Sequence, residues 1–383
     1  MQQLMTVETD SPASRAPAVQ RAAEMLRAGR LVVLPTETVY GVAAWAGSEA
    51  GVAALRRIKQ TDASRSFTIH LPDPAEAERY AELASPLARR LVARAMPGPV
   101  TLVLDANEAE IADRLEALGL PAEARDRIYR GSQVSLRCPD HPLARAVLGA
   151  VDGPVVAASA APAGERLPTE ASDAAELLGS ESELGLVLDA GRSRYGKPST
   201  VVRIEGRGSD ATMQVQREGV YDRRFLEKLL KWKLLLVCSG NTCRSPMAEV
   251  LARQILAEQR GVRPEGLEKV GIEVVSAGVS AARGMPASAD AVSAMREQGL
   301  DLTRHRSRPV TAGLIHEADV VYTMADHHRR AILAMVPSAA DKTFTLDPDR
   351  DIEDPIGSGE AVYRRTAAAL RSRLEQRLKE QQP

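Results

Sequence analysis

The chain has 383 residues, 44% of them hydrophobic and 26% charged, with 50 Lys and Arg against 51 Asp and Glu. That balance is ordinary for globular protein, excludes a long disordered or collagen-like chain, and at this length suits two domains. No apolar stretch approaches the roughly 20 residues of a membrane-spanning helix, and Met1 to Pro17 lacks the apolar core of a secretory leader, so a cytoplasmic location without membrane attachment is expected. Up to residue 231 there are 29 basic and 31 acidic side chains, which leaves 21 and 20 beyond it. Neither half is a basic module, and aromatics make up only 3%; non-specific nucleic-acid binding is not expected, a local basic cleft aside. The cysteines are Cys138, Cys238 and Cys243, an odd number that argues against a disulfide framework.

In chain order, residues 18–30 read as an amphipathic helix ending at Gly29. Short apolar runs at Leu31–Leu34, Val100–Leu104, Val134–Leu136, Val155–Ala157 and Val201–Ile204 read as buried strands, with helices at Glu49–Lys59 and Pro86–Ala95 between them. This alternation predicts an α/β domain with a mixed sheet over residues 15–231. Val220–Lys231 reads as a helix joining two units. The pattern then restarts over 232–383: strands at Lys233–Val237, Glu273–Ser276 and Val320–Thr323, helices from about Pro246, near Ser288–Gln298 and at Tyr363–Lys379. That half fits a doubly wound parallel-sheet domain. No internal repeat relates the halves.

The segment Val237-Cys238-Ser239-Gly240-Asn241-Thr242-Cys243-Arg244-Ser245-Pro246 places a cysteine and an arginine six apart, after a predicted strand and before a predicted helix. The intervening residues can wrap so that backbone N–H groups form an anion nest, reinforced by the helix N-terminus. Arg244 can grip two phosphate oxygens, Pro246 suits a helix start, and an anion cradle favours thiolate over thiol. The bland alternative makes Cys238 a small buried hydrophobe and Arg244 a solvated helix residue.

These residues, with Ser276-Ala-Gly278, His305-Arg-Ser-Arg308, Met324-Ala-Asp-His327 and Asp354-Pro355, resemble the low-molecular-weight protein tyrosine phosphatase family over residues 233–383. The resemblance implies a metal-free phosphatase acting on phosphorylated proteins. Cys238 would form a phosphocysteine, Arg244 and the amides of Ser239, Gly240, Asn241, Thr242 and Cys243 would hold the phosphate, Ser245 would donate to the thiolate, and Asp354 would be the general acid and base. Thr242 in place of a branched aliphatic, and Ile356-Gly-Ser-Gly359 in place of aromatics after Asp354-Pro355, look more like the bacterial protein-arginine phosphatases. The resemblance also implies a reversible Cys238–Cys243 disulfide. Arsenate reductases of this family use further cysteines, which this chain lacks beyond Cys243.

In the N-terminal half, Leu34-Pro-Thr-Glu-Thr-Val-Tyr-Gly41, Lys59, His70, Met96-Pro-Gly-Pro-Val-Thr101, Leu136-Arg137, Ala158-Ser159-Ala160, Lys197-Pro-Ser-Thr-Val-Val202 and Arg217-Glu-Gly219 resemble the YrdC-type threonylcarbamoyl-AMP synthase family. The resemblance implies condensation of L-threonine, bicarbonate and ATP with Mg²⁺, serving the threonylcarbamoyl modification of tRNA adenosine. Thr38 and His70 would contact threonine; Lys59, Thr101, Arg137, Ser159, Ser199 and Arg217 would line the nucleotide pocket. The chain departs from the family where Lys-x-Arg becomes Lys59-Gln60-Thr61, Ser-x-Asn becomes Ser159-Ala160-Ala161, and Pro-Leu becomes Ser66-Phe67. Arg65 is the candidate to replace the lost arginine. A working synthase, an enzyme for another nucleotide and a non-catalytic module binding tRNA or nucleotide stay open.

Other clusters read as structural or solvated: His327 and His328 beside Asp326, surface stretches at Leu267–Gly271 and His305–Arg308, and a solvated helix end at Arg371–Gln382. The acidic run Asp347–Asp354 lacks the spacing of a calcium loop.

Overall fold

The computed structural model describes residues 3–6, 12–62, 66–208 and 211–380, and divides into two compact units, Met1–Leu230 and Lys231–Pro383. In the first unit the described strands are β1 (Gln3–Thr6), β2 (Leu31–Leu34), β3 (Gly41–Trp45), β4 (Thr68–His70), β5 (Val100–Asp105), β6 (Tyr129–Arg130), β7 (Gln133–Arg137), β8 (Val155–Ser159), β9 (Leu184–Asp189), β10 (Thr200–Glu205) and β11 (Thr212–Arg217). They form one mixed sheet in the order β1-β9-β2-β3-β8-β4-β7-β5-β10-β11, with β6 paired to β7. The period of two along a strand puts alternate side chains into separate cores: Leu31 and Val33 into one, Val32 and Leu34 into the other.

The second unit holds β12 (Trp232–Cys238), β13 (Ile272–Gly278), β14 (Val320–Thr323) and β15 (Thr343–Thr345) in the order β13-β12-β14-β15, every pair parallel. Alternation sorts β12 to both faces. Leu234, Leu236 and Cys238 join the core under the helices Arg244–Arg260 and Glu360–Glu380, and Leu235 and Val237 join the one beneath Ala312–Glu317 and Asp326–Met335. The chain leaves β12 to one side for β13 and to the other for β14, so the end of β12 is the switch point of the sheet, where such folds bind ligands. Cys238 is the last residue of that strand.

Several expectations are corrected. The first helix runs Pro12–Arg27, with Gly29 at φ +77° closing it. The joining helix is only Arg223–Leu229, because Asp222 caps Phe225 N–H and β12 begins at Trp232. The helix expected from Pro246 starts at Arg244. Leu267 is buried within the turn Pro264–Val270, and Ser307 is buried too, so neither stretch is merely surface. Leu374 and Leu378 of the C-terminal helix are core residues. Arg65 lies outside the described residues. Among the described residues no helix is long and apolar enough to cross a membrane.

Candidate active sites

In the second unit the loop after β12 closes on the side chain of Cys238. Asn241 takes a left-handed backbone, φ +53°, and its N–H donates to Cys238 Sγ at 3.3 Å. The loop's carbonyls are drawn outward: Cys238 O accepts from Val279 N–H, Ser239 O from Ser280 N–H, Thr242 O from Ser288 N–H, and Asn241 O contacts His305 Nε2 at 2.8 Å. A planar trans peptide carries its N–H opposite its carbonyl, so the amides of Ser239, Gly240, Thr242 and Cys243 turn to the concave side, as an anion nest requires. The helix Arg244–Arg260 adds its positive end there.

A buried relay fixes this shape. Ser245 Oγ stands 3.0 Å from Cys238 Sγ and accepts from Asn241 Nδ2 at 2.9 Å. Asn241 Nδ2 also donates to Ser276 Oγ at 2.9 Å, and Ser276 donates to Glu249 Oε2 at 2.6 Å. Asn241 Oδ1 accepts from Arg308 N–H. Ser245 Oγ lies 3.3 Å from its carbonyl acceptor Ala277 O and nearer still to the cysteine sulfur, so its hydroxyl hydrogen has both within reach. Gly278 is needed where β13 passes the loop, since a Cβ there would stand 2.4 Å from Ser239 O and 2.9 Å from Asn241 N.

Arg244 is buried; one guanidinium nitrogen donates to Ile352 O at 3.0 Å, while the other pairs with Asp354 and reaches Ser239 Oγ at 3.4 Å. The Asp354 side chain is 43% exposed, so the partner of the buried Arg244 guanidinium reaches solvent. Cys243 Sγ contacts Tyr363 OH at 3.2 Å and Ser288 Oγ at 3.4 Å, and all three cysteines are free. Burial and Cys243 push the Tyr363 phenol up to about 12. Thr242 is half-buried, and Ile356 is exposed.

The sequence alone assigned no role to Ser276, Glu249 and Tyr363, and His328 read as structural or solvated. Ser276 and His305 lay inside quoted motifs, yet nothing in their identity announced that they buttress the loop. His328 is fully buried and contacts Ser239 Oγ at 2.8 Å through Nε2. Burial, His327 and Arg244 lower its pKa to about 4.

In the first unit the expected residues form two groups bridged by the loop between β2 and β3. In one, Arg137 donates to Thr38 Oγ1 at 2.7 Å and to Glu37 Oε1 at 2.8 Å, beside His70 in the β4–β7 register. Thr101 and Ser199, hydroxyls 2.9 Å apart, lie farther along the same edge with Arg217, which donates to Ser199 O at 2.9 Å. His70 Nδ1 is 3.1 Å from Thr68 O, and burial, then Arg137, lowers its pKa well below the ordinary value. The ring is therefore neutral, with Nε2 left as an acceptor. Glu37, quoted in the sequence motif without a role, holds Arg137 and Asp140 N–H in place.

The second group centres on Lys59, whose Nζ donates to Ser159 Oγ at 2.9 Å, Ala161 O at 2.7 Å and Ser159 O at 3.3 Å. Ser159 pairs with Gly41 across β3 and β8, and Ala160 N–H donates to Tyr40 O. Arg137 thus sits beside the threonine candidates Thr38 and His70. Thr61 Oγ1 is buried and has no hydrogen-bond partner among the described residues.

Comparison with known proteins divides the chain at the same place. A family model described as telomere recombination (Sua5, YciO and YrdC) matches residues 24–219, and one described as low molecular weight phosphotyrosine protein phosphatase matches 233–382. A protein-arginine-phosphatase of Geobacillus stearothermophilus is 39% identical over 151 residues, 38% of this chain and 90% of that protein. A probable low molecular weight protein-tyrosine-phosphatase, EpsP of Ralstonia solanacearum, is 38% identical over 124 residues, 32% of this chain and 77% of that protein. A threonylcarbamoyl-AMP synthase of Bacillus subtilis is 31% identical over 194 residues, 51% of this chain and 52% of that protein, so the chain spans about half of that relative's length. These relatives carry the names of enzymes. The chain belongs to both families, a Sua5/YrdC unit followed by a low-molecular-weight phosphatase unit.

Proposed function

We propose that the C-terminal unit is a cysteine-dependent protein phosphatase and that the N-terminal unit forms threonylcarbamoyl-AMP. The observation that carries the first half is the closed loop in which Cys238 Sγ faces Ser245 Oγ and Asn241 N–H beside the buried Arg244. Cys238 attacks phosphorus, the S–P bond forms, and the bond to the leaving group breaks as Asp354 gives it a proton. A phosphoryl group entering the loop competes with Asp354 for Arg244, which turns the carboxyl toward the leaving atom. Water then attacks phosphorus, Asp354 takes its proton, and phosphate leaves Cys238 free. Charge developing on the equatorial oxygens is held by Arg244 and the loop amides.

Phosphoarginine is the favoured substrate over phosphotyrosine. The half-buried Thr242 offers a hydroxyl acceptor to a guanidinium, and Ile356, 67% exposed, stands where an aromatic wall for a phenol ring would be. The test is kcat/KM on matched phosphoarginine and phosphotyrosine peptides; a higher value for phosphotyrosine overturns this preference.

For the N-terminal unit, a neutral His70 with a free acceptor beside Thr38 and Arg137 suits an amino acid, while Lys59, Ser159, Thr101, Ser199 and Arg217 suit a nucleotide. Among the described residues no cluster of His, Cys, Asp and Glu is set to hold a metal, so Mg²⁺ would be held through the triphosphate. Such a reaction would serve tRNA modification, in keeping with a cytoplasmic location. Pyrophosphate release by the full chain, dependent on both threonine and bicarbonate, tests it. A second reading, a non-catalytic nucleotide- or tRNA-binding module, is favoured by the three internal acceptors that hold Lys59 Nζ and predicts ATP or tRNA binding without release.

A further inference from the structure

Besides the hydroxyls of Thr242 and Ser245, the phosphate loop carries that of Ser239. Ser239 is half-buried at the start of the loop, with Oγ 2.8 Å from His328 Nε2 and 3.4 Å from the Arg244 guanidinium. His328 comes from a different element, the helix Asp326–Met335, and is fully buried. Its other nitrogen, Nδ1, is buried and has no hydrogen-bond partner among the described residues.

That orphan nitrogen decides the protonation of the pair. A hydrogen on Nδ1 would be a buried donor with no acceptor, the costlier kind of unsatisfied group, whereas a bare lone pair there costs less. A hydrogen on both nitrogens is opposed by burial and by the neighbouring His327 and Arg244. The remaining state carries its single hydrogen on Nε2, pointing at Ser239. The serine oxygen then accepts from His328 and, more weakly, from Arg244, which occupies both its lone pairs. Its own hydrogen is left to point away from those two donors.

We propose that Ser239 donates its hydroxyl hydrogen to an oxygen of the phosphoryl group in the loop, and that His328 is the positioning residue that keeps this hydrogen so directed. This rests on the phosphatase reading of the loop. It adds a side-chain donor to the ring of amides, and makes a buried histidine a second support for catalysis through its hold on Ser239.

The experiment uses the full chain in four forms, native, S239A, H328L and the double variant, with kcat and KM for p-nitrophenyl phosphate and the dissociation constant for inorganic phosphate by calorimetry. S239A is expected to lower kcat roughly tenfold or more with KM little changed and to weaken phosphate binding. H328L is expected to do much the same alone, and to add nothing in the S239A background. H328Q, which keeps an N–H donor, should recover most of what H328L loses, and it serves where H328L does not fold. Native kcat and phosphate affinity in S239A, or full additivity of the two substitutions, overturns the proposal. Phosphate binding separates this outcome from failure of the underlying reading: a chain with no turnover at all, or one that keeps turnover as C238S, sinks the phosphatase reading, while a serine-dependent phosphate affinity would still support the hydroxyl donor.

Discussion

At Asn241 the backbone enters a region that Asn tolerates better than most residues, and its side chain joins Ser245, Ser276 and Arg308 N–H. Replacing it with alanine strands buried groups at three points. N241A should lose about 1–3 kcal/mol of stability and lower kcat at least roughly tenfold, read by thermal unfolding and turnover of p-nitrophenyl phosphate. His328 gives a pH signature. Its pKa of about 4 in the folded chain lies below the ordinary 6.5, because burial, then His327 and Arg244, push it down while Asp351 pulls it up. The unfolded chain therefore binds the extra proton first, so stability is full above pH 6.5 and falls as pH drops toward 4, by about 3 kcal/mol in all. H328Q should flatten the stability profile between pH 6.5 and 5 relative to the native chain; parallel profiles would contradict it. Cys238 and Arg244 stood out in the sequence because their spacing follows from the chemistry of a phosphate loop, whereas the roles of Ser245 and Asp354 came only with the family resemblance. His328, Ser276 and Glu249 were not, since their roles depend on which helix or strand folds against the loop.

Among the elements, the strands legible as apolar runs are those buried on both faces, such as Leu31–Leu34 and Val320–Thr323. Thr212–Arg217 escaped notice because its side chains are mostly exposed and polar, and its pairing with Thr200–Glu205 defines it instead. Thr68–His70 is three residues long, with only Ile69 buried, too short for periodicity to register. The element that matters most to the phosphate loop is the end of β13. Because a Cβ at Gly278 would meet backbone atoms rather than a movable side chain, G278A should displace the loop at a cost of about 1–3 kcal/mol. The expected result is weakened phosphate binding and strongly reduced turnover in a chain whose far-ultraviolet circular dichroism is native-like. Native phosphate affinity in G278A would mean the loop has room that the structure denies.

Across the whole molecule, one chain carries two units, each with a core on either face of its sheet and each with its own candidate site. The mixed sheet and the four-stranded parallel sheet were legible from the alternation of apolar runs and helices, whereas strand order was not, because pairing is set by tertiary contacts rather than by local pattern. Each activity should fail with its own site. In the intact chain K59A is expected to abolish threonine-dependent pyrophosphate release, and C238S to abolish phosphatase turnover. Persistence of pyrophosphate release in K59A would remove Lys59, held by Ser159 and Ala161, from the reaction.

The most direct test of the central claim is to trap the covalent intermediate. Full-length D354A, mixed with p-nitrophenyl phosphate and quenched, is expected to carry a phosphoryl group on Cys238 by peptide mass spectrometry, because water is no longer activated to remove it. A phosphoryl group on another residue, or turnover that survives in C238S, would contradict the account.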